Sequence, residues 1–78
     1  MQYLTDRITI NPDVCNGQPT VRGLRITVQT ILEFVFAGDT DAEILDDFPF
    51  LEKEDIEACR QFALRLMKQQ YIIRPLAA

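Results

Sequence analysis

The chain has 78 residues, no histidine and a formal net charge of −4 at pH 7. This length allows one domain, over residues 1–78, and the missing imidazoles and paired cysteines argue against a metal site or a neutral-pH general base. The acidic balance also lacks the basic footprint that is usual in nucleic-acid-binding proteins. We therefore expect a binding module and not an enzyme, with no catalytic residues, no metal and no cofactor.

A chain this short needs support beyond its own core, and the choices are disulfides, a metal or a partner chain. The first residues lack the basic start and apolar run of a signal peptide, which predicts a cytoplasmic protein whose Cys15 and Cys59 stay reduced. No stretch approaches the ~20 apolar residues that a membrane span needs. Association with another chain is the choice that remains, so the sequence predicts a homodimer, a tight complex with a partner, or both.

The first predicted element is a β-ribbon over residues 7–26. Its first strand, residues 7–10, alternates polar and β-branched apolar side chains, as a half-buried strand does. An Asn-Gly turn signal follows at residues 16–17, and residues 19–26 are predicted to be an extended arm interrupted by Gly23. A ribbon of this size is not stable alone, so we expect it to pack beside helices.

The period of the apolar residues then changes to that of a helix. Apolar side chains recur at helical spacing between Val28 and Phe36, and Gly38 follows where a left-handed helix end favours glycine. Thr40 opens a capping-box pattern that predicts a short second helix. Pro49 ends it, because the residue before a proline is pushed out of helical geometry.

The third helix is predicted from about residue 53 to residue 70, with Glu52 at its cap position. One of its faces is apolar and includes Ile56, Cys59 and Phe62. Three helices over residues 27–70 with a ribbon beside them predict a mainly α fold. The second and third helices have the proportions of a helix-turn-helix, which many small bundles share.

Apolar residues continue after the last helix, where a chain terminus is normally polar. This C-terminal tail, residues 71–78, either folds onto its own core or docks on another chain. We favour docking, because exposed apolar segments mark interfaces. The predicted partner-binding residues are Tyr71, Ile72, Ile73, Arg74 and Leu76.

Residues 8–28 resemble the signature of domain-of-unknown-function family 433. In that family an Asp-Pro or Asn-Pro strand is followed by a Gly-Lys-Pro turn and a Gly-Thr-Arg-Ile or Gly-Thr-Arg-Val segment before a helix; here the corresponding residues are Asn-Pro, Gly-Gln-Pro and Gly-Leu-Arg-Ile. The likeness continues through Ala-Gly at 37–38, Ile-Leu-Asp-Asp-Phe-Pro at 44–49 and Leu-Glu-Lys-Glu-Asp-Ile at 51–56. It extends over about residues 8–65.

The resemblance implies a homeodomain-like three-helix fold, that is, a helix-turn-helix bundle with a short N-terminal β-ribbon. Members are proposed to be VapB-like antitoxins of bacterial toxin–antitoxin pairs, each partnered with a PIN-like ribonuclease toxin. Operator DNA is a further ligand that the resemblance leaves open. Gln18 stands where the family favours lysine, Leu24 replaces a threonine, and Glu52 replaces the threonine cap of the last helix. The change at Gln18 weakens the case for a phosphate contact at that turn.

Nucleic-acid binding would have to avoid the acidic start of the third helix, which repels phosphate. Arg22 and Arg25 flank Gly23 on the arm, and a bend at this glycine would bring them together. Their guanidinium groups either form forks for phosphate or carboxylate, or pair with the acidic helices, for example with Asp46 or Asp47. DNA contacts are predicted to come from the ribbon or from the basic far end of the third helix, which carries Arg60, Arg65 and Lys68. The predicted nucleic-acid-binding residues are Arg22, Arg25, Gln18 and Arg60.

Two functions therefore stay open at the level of sequence. The first is an antitoxin of a type II toxin–antitoxin pair that binds a PIN-like ribonuclease toxin, with operator DNA as a further ligand that stays open. The second is a non-catalytic homodimeric structural or adaptor module without nucleic-acid binding. Most of the acidic residues lie in residues 39–57, and residues 58–78 are net basic. This distribution fits the preference of acids for helix starts and of bases for helix ends. It also fits a dipolar surface that steers a charged partner.

Overall fold

The computed structural model describes residues 1–68 of the chain. Three helices stand beside a small antiparallel sheet of three strands in the order β1-β2-β3. The mainly helical fold with an N-terminal ribbon is therefore confirmed. The elements are β1 (Gln2–Tyr3), β2 (Ile8–Ile10), β3 (Thr20–Val21), α1 (Val28–Phe36), α2 (Asp41–Asp47) and α3 (Lys53–Met67).

The sheet differs from the predicted ribbon at its first edge. The ribbon was expected to begin at residue 7, but Gln2 and Tyr3 add an edge strand, with Gln2 opposite Ile10. A tight turn makes this pairing possible, because the Thr5 hydroxyl accepts a hydrogen bond of 3.1 Å from the backbone N–H of Ile8. Because β1 has only two residues and both are exposed, it shows no alternation of apolar and polar side chains. The sequence therefore did not indicate this strand.

The arm predicted over residues 19–26 is extended only in part. The strand covers Thr20–Val21, and the chain then turns at Arg22 and Gly23, whose φ angles are 47° and 71°. The predicted interruption at Gly23 is therefore a tight turn that includes Arg22. Its backbone is anchored on the sheet, because the N–H of Gly23 donates to the buried Thr9 hydroxyl at 2.8 Å.

The helix ends follow local signals in the sequence. Thr27 caps α1 by accepting a 3.0 Å hydrogen bond from the backbone N–H of Thr30. Gly38 follows α1 with a φ of 98°, in the left-handed region where a side chain is disfavoured. Thr40 and Glu43 form the predicted capping box, in which each backbone N–H is bonded by the side chain of the other residue.

The core lies where the three helices meet the buried face of the sheet. Every element from β2 onwards contributes to it, and the fully buried apolar side chains are Ile8, Val21, Ile31, Ile44, Ile56 and Cys59. Burial raises the pKa of the Cys59 thiol to about 12. Cys59 is therefore a protonated core residue at neutral pH. None of the helices within residues 1–68 is long and apolar enough to cross a bilayer.

Candidate functional site

The four residues that were predicted to bind nucleic acid differ in their surroundings. Gln18 and Arg25 are exposed. Arg22 and Arg60 are about one-third exposed, and each pairs with an acid on a helix: Arg22 with Asp55, and Arg60 with Asp41. Their binding to nucleic acid stays a prediction.

Asp55 is the centre of the strongest polar cluster in the described chain. Its carboxylate is fully buried, on the first turn of α3. Arg22 makes a bidentate contact with it, in which Nε donates to Oδ1 at 3.0 Å and Nη2 donates to Oδ2 at 2.8 Å. Arg7 donates to Oδ1 from Nη1 at 2.8 Å, and the backbone N–H of Glu52 donates to Oδ2 at 2.8 Å. The carboxylate is saturated with donors.

The hydrogen bonds of this cluster keep Asp55 ionised. Burial pushes the pKa of the Asp55 carboxyl upward, but the hydrogen bonds from Arg22, the Glu52 backbone and Arg7 outweigh it and hold the pKa below its usual value. The Arg7 guanidinium also donates to Glu52 Oε1 at 2.7 Å, and its contacts with Glu52 and then Asp55 raise its own pKa. Arg7, Arg22, Glu52 and Asp55 together are hereafter the Asp55 cluster.

The Asp55 cluster fastens the ribbon to the third helix. Arg7 immediately precedes β2 and Arg22 immediately follows β3, so both sides of the ribbon reach the same carboxylate. The same carboxylate caps α3 by binding the N–H of Glu52, a residue type that is itself a poor cap. Arg22 is held in the left-handed φ region that few non-glycine residues occupy, which fits a residue fixed by several contacts at once.

A second ion pair joins two helices. Arg60 on α3 binds Asp41 at the start of α2 with both terminal nitrogens. This pairing lowers the pKa of Asp41 and raises that of Arg60. Two of the three arginines that were predicted to meet nucleic acid thus make intramolecular contacts in this structure.

An apolar groove of about 580 Å³ lies between α1 and the C-terminal half of α3. Phe36 lines it and is 75% exposed. We call this feature the α1–α3 groove; its apolar lining includes Pro19, Leu32, Phe36, Phe62, Leu66 and Met67. Large exposed aromatic and aliphatic side chains that line one concave surface are typical of a binding surface.

The described residues hold neither a metal-type cluster nor an unpaired buried polar group. Among residues 1–68, no group of three or more cysteine, aspartate or glutamate side chains is arranged to hold a metal ion. In the same range every buried side-chain nitrogen or oxygen has a hydrogen-bond partner. The predicted partner-binding residues Tyr71, Ile72, Ile73, Arg74 and Leu76 lie outside the described residues.

Comparison with known proteins places this arrangement in a family. Residues 8–63 match the family described as "Protein of unknown function (DUF433)". The chain belongs to the DUF433 family. The resemblance noted in the sequence is confirmed to that extent, and the matched range contains Arg22 and Asp55 but not Arg7.

Two relatives of this DUF433 chain define the likeness further. The uncharacterized protein y4eO of Sinorhizobium fredii is 34% identical over 56 residues, which are 72% of this chain and 25% of the relative. A DUF433 member from Anabaena variabilis, known from a crystal structure, superposes with a TM-score of 0.72 at 35% identity, over 80% of this chain and 61% of its own. The chain thus spans a quarter of the first relative and about three-fifths of the second.

Sequence reasoning missed Asp55 and Arg7 of this DUF433 chain. A signal for Asp55 was available in retrospect, because Glu52 is a weak cap and an acid three residues later can bind the cap's backbone N–H. Nothing in the spacing pointed to Arg7, which lies 48 residues from its partner. Arg22 pairs with Asp55 instead of Asp46 or Asp47, which are exposed on α2.

The Asp55 cluster predicts a loss of stability in acid. Because the pKa values of Asp41, Glu43 and Asp55 are all lowered by folding, these groups stabilise the fold above their unfolded pKa of about 4. That contribution is lost as the pH falls through their folded pKa values. We expect urea titrations followed by circular dichroism to give a free energy of unfolding that declines from pH 5 to pH 2.

The variant Asp55→Asn isolates the contribution of the cluster to this decline. It should make the pH profile clearly flatter, whereas Glu57→Gln, at an exposed acid of the same helix, should follow the wild type. Identical pH profiles for Asp55→Asn and the wild type would show that the cluster does not couple folding to protonation.

Proposed function

We propose that this DUF433 chain is a non-catalytic binding module that acts as the antitoxin of a bacterial toxin–antitoxin pair. Its partner in this proposal is a PIN-like ribonuclease, which it neutralises by direct contact in the cytoplasm. The family resemblance supplies the class of partner. The single structural observation that supports the mode of action is the α1–α3 groove, whose lining includes the exposed Phe36.

The groove and the C-terminal tail together give the proposed partner surface. Leu66 and Met67, which line the groove on the last turn of α3, are separated from the tail by only residues 68–70. Apolar side chains on the two elements can therefore form one continuous surface. Interfaces depend on a few buried aromatic and aliphatic anchors, and Phe36 and Tyr71 are side chains of that kind.

Arg74 gives the tail a charge suited to this partner. A PIN-like nuclease site holds carboxylates and a divalent metal, so a guanidinium that replaces the metal or pairs with the carboxylates would block it. Arg74→Gln should then weaken inhibition, and Arg65→Gln, on the exposed surface of α3, is the matched control. Equal inhibition by both variants and the wild type would exclude this role of Arg74.

Co-purification tests the proposal itself. The chain would be expressed with the product of an adjacent small nuclease-like reading frame, and ribonuclease activity would be measured with and without the chain. The proposal expects a stable complex and loss of ribonuclease activity at an equimolar ratio. Ribonuclease activity that persists at a large excess of the chain would contradict it.

The proposed fold class is homeodomain-like, with α2 and α3 as the helix-turn-helix. If α3 were the recognition helix, its first turns would face DNA. There Glu54 and Glu57 are exposed, and the Asp55 carboxylate already accepts hydrogen bonds from Arg22. Such a helix end repels phosphate. Operator contact is therefore assigned first to Arg25 of the ribbon, because Arg22 is committed to Asp55. The basic far end of α3, where Arg65 and Lys68 are exposed, is the alternative.

A salt series checks this assignment. If operator DNA is bound, Arg25→Ala should lower the slope of log affinity against log salt concentration by about 1 per copy of the chain, because one phosphate contact is lost. The measurement is a gel-shift titration on the promoter fragment. An unchanged affinity and slope would remove Arg25, and with it the ribbon, from the DNA contact.

A structural or adaptor module is the second candidate. It is favoured by the Asp55 cluster and the Arg60–Asp41 pair, which use the arginines to hold the fold together. The same groove would then serve a homodimer contact without a ribonuclease or DNA. The absence of a nuclease-like reading frame beside the gene, together with no shift of promoter DNA, would favour this candidate.

A further inference from the structure

We infer that the α1–α3 groove of one copy receives residues 71–76 from the tail of a second copy, so that two copies exchange tails. The inference does not depend on a ribonuclease partner. It rests on the chemistry of the groove, on the length of the segment, and on the small core of the described chain.

The tail and the groove match in chemistry. Residues 71–76 read Tyr-Ile-Ile-Arg-Pro-Leu, an apolar segment with one positive charge. The groove is apolar along most of its length, and the charged side chain in its lining is Glu33, which is exposed. An apolar segment laid in the groove would bury Phe36, and Arg74 would have Glu33 as a partner of opposite charge.

The inserted segment also has the right length. Residues 71–76 are six residues, which span up to about 20 Å when extended. The nine residues of α1 rise about 14 Å along the helix axis. The segment is therefore long enough to extend along the whole α1 side of the groove.

The size of the core favours a groove on another copy over the chain's own groove. The core within residues 1–68 is small, with nine buried apolar side chains. Small domains are commonly stabilised by association with another chain. Exchange of tails between two copies supplies that association.

Exchange would be reciprocal, so a two-fold dimer would fill both grooves with the same contact. A ribonuclease that binds the tail would then compete with the second copy for it. Dimerisation of the isolated chain is measured without any ribonuclease, and its failure is therefore separate from failure of the antitoxin proposal.

Sedimentation equilibrium of the full chain is the first test. The wild type should be a dimer, and both deletion of residues 71–78 and the substitution Phe36→Glu should raise the dimer dissociation constant roughly 30-fold or more, as expected for loss of an interface anchor. Tyr3→Glu is the matched control, because Tyr3 is similarly exposed but does not line the groove. Circular dichroism verifies that each variant is folded.

Mixing two defective variants distinguishes exchange from a tail that folds onto its own chain. Phe36→Glu keeps a tail but has a damaged groove, and the deletion variant keeps a groove but has no tail. If tails are exchanged, the mixture forms a heterodimer through one intact contact although neither variant dimerises alone. A mixture that stays monomeric would contradict exchange.

Reversal of charge tests the proposed pair inside the groove. Glu33→Arg and Arg74→Glu should each weaken the dimer several-fold, and the double variant should recover affinity, because an ion pair that is partly exposed has a modest effect on affinity. A wild type that remains monomeric at about 100 μM, or a dimer unaffected by deletion of the tail, would overturn the inference.

Discussion

Asp55→Ala is expected to lower the free energy of unfolding by about 3 kcal/mol, the low end of the range for removing one partner of a buried ion pair. The substitution leaves the guanidinium groups of Arg7 and Arg22 without their shared acceptor and leaves the N–H of Glu52 unpaired. The low end applies because both arginine side chains are about one-third exposed and water can partly replace the lost contact.

Urea unfolding followed by far-ultraviolet circular dichroism measures this effect. A domain of this length has a total stability of only a few to about 12 kcal/mol, so the variant should be close to unfolded in mild denaturant. Asp47→Ala is the control, since Asp47 is exposed on α2 and should change stability by less than about 0.5 kcal/mol. A loss below about 1 kcal/mol for Asp55→Ala would show that the cluster does not hold the ribbon to α3.

Arg22→Ala and Arg25→Ala are expected to have very different effects on the free energy of unfolding, although the two arginines are only three residues apart. Arg22→Ala removes a two-point contact with Asp55 and a 3.2 Å hydrogen bond to the carbonyl oxygen of Phe50. After a discount for the exposed third of its side chain, this should lower stability by about 1–2 kcal/mol. Arg25 is exposed and makes no ion pair within residues 1–68, so its removal should change stability by less than about 0.5 kcal/mol.

Thermal melts provide the comparison. For a domain of this size 1 kcal/mol corresponds to about 4–8 °C in the melting temperature, so Arg22→Ala should melt roughly 5–15 °C below the wild type. Arg25→Ala should melt within a few degrees of the wild type. Equal melting temperatures for the two variants would mean that Arg22 is a surface residue in solution and is available for a ligand.

The different effects of the two substitutions on stability decide which arginine variant is suitable for a DNA-binding test. A double variant of Arg22 and Arg25 that failed to bind DNA would be ambiguous, since the substitution at Arg22 also loosens the fold. Arg25→Ala alone leaves the Asp55 cluster intact. It is therefore the appropriate variant for a test of phosphate contacts.

The helices could be predicted because their limits depend on neighbouring residues. Thr40 and Glu43 cap α2 from three residues apart, and Gly38 follows α1 where the sequence placed it. Signals of this kind are local and act in the same way in most folds. Element order and the mainly helical class follow from them.

The Asp55 cluster could not be predicted for the opposite reason. Its contacts join residues 33 and 48 positions apart, and nine acids between residues 39 and 57 were all candidates for the arginines. Charge and spacing do not say which acid the fold will bury. Strand β1 was missed because Gln2 and Tyr3 carry no apolar alternation, and their pairing depends on the turn at Thr5.

A ribonuclease titration tests most directly whether the chain acts by presenting an apolar surface to a protein partner. The co-purified ribonuclease would be titrated with the wild type, with the variant that lacks residues 71–78, and with Arg25→Ala. We expect the wild type and Arg25→Ala to inhibit equally and the shortened variant to lose inhibition. Full inhibition by the shortened variant, with inhibition lost in Arg25→Ala, would contradict the account.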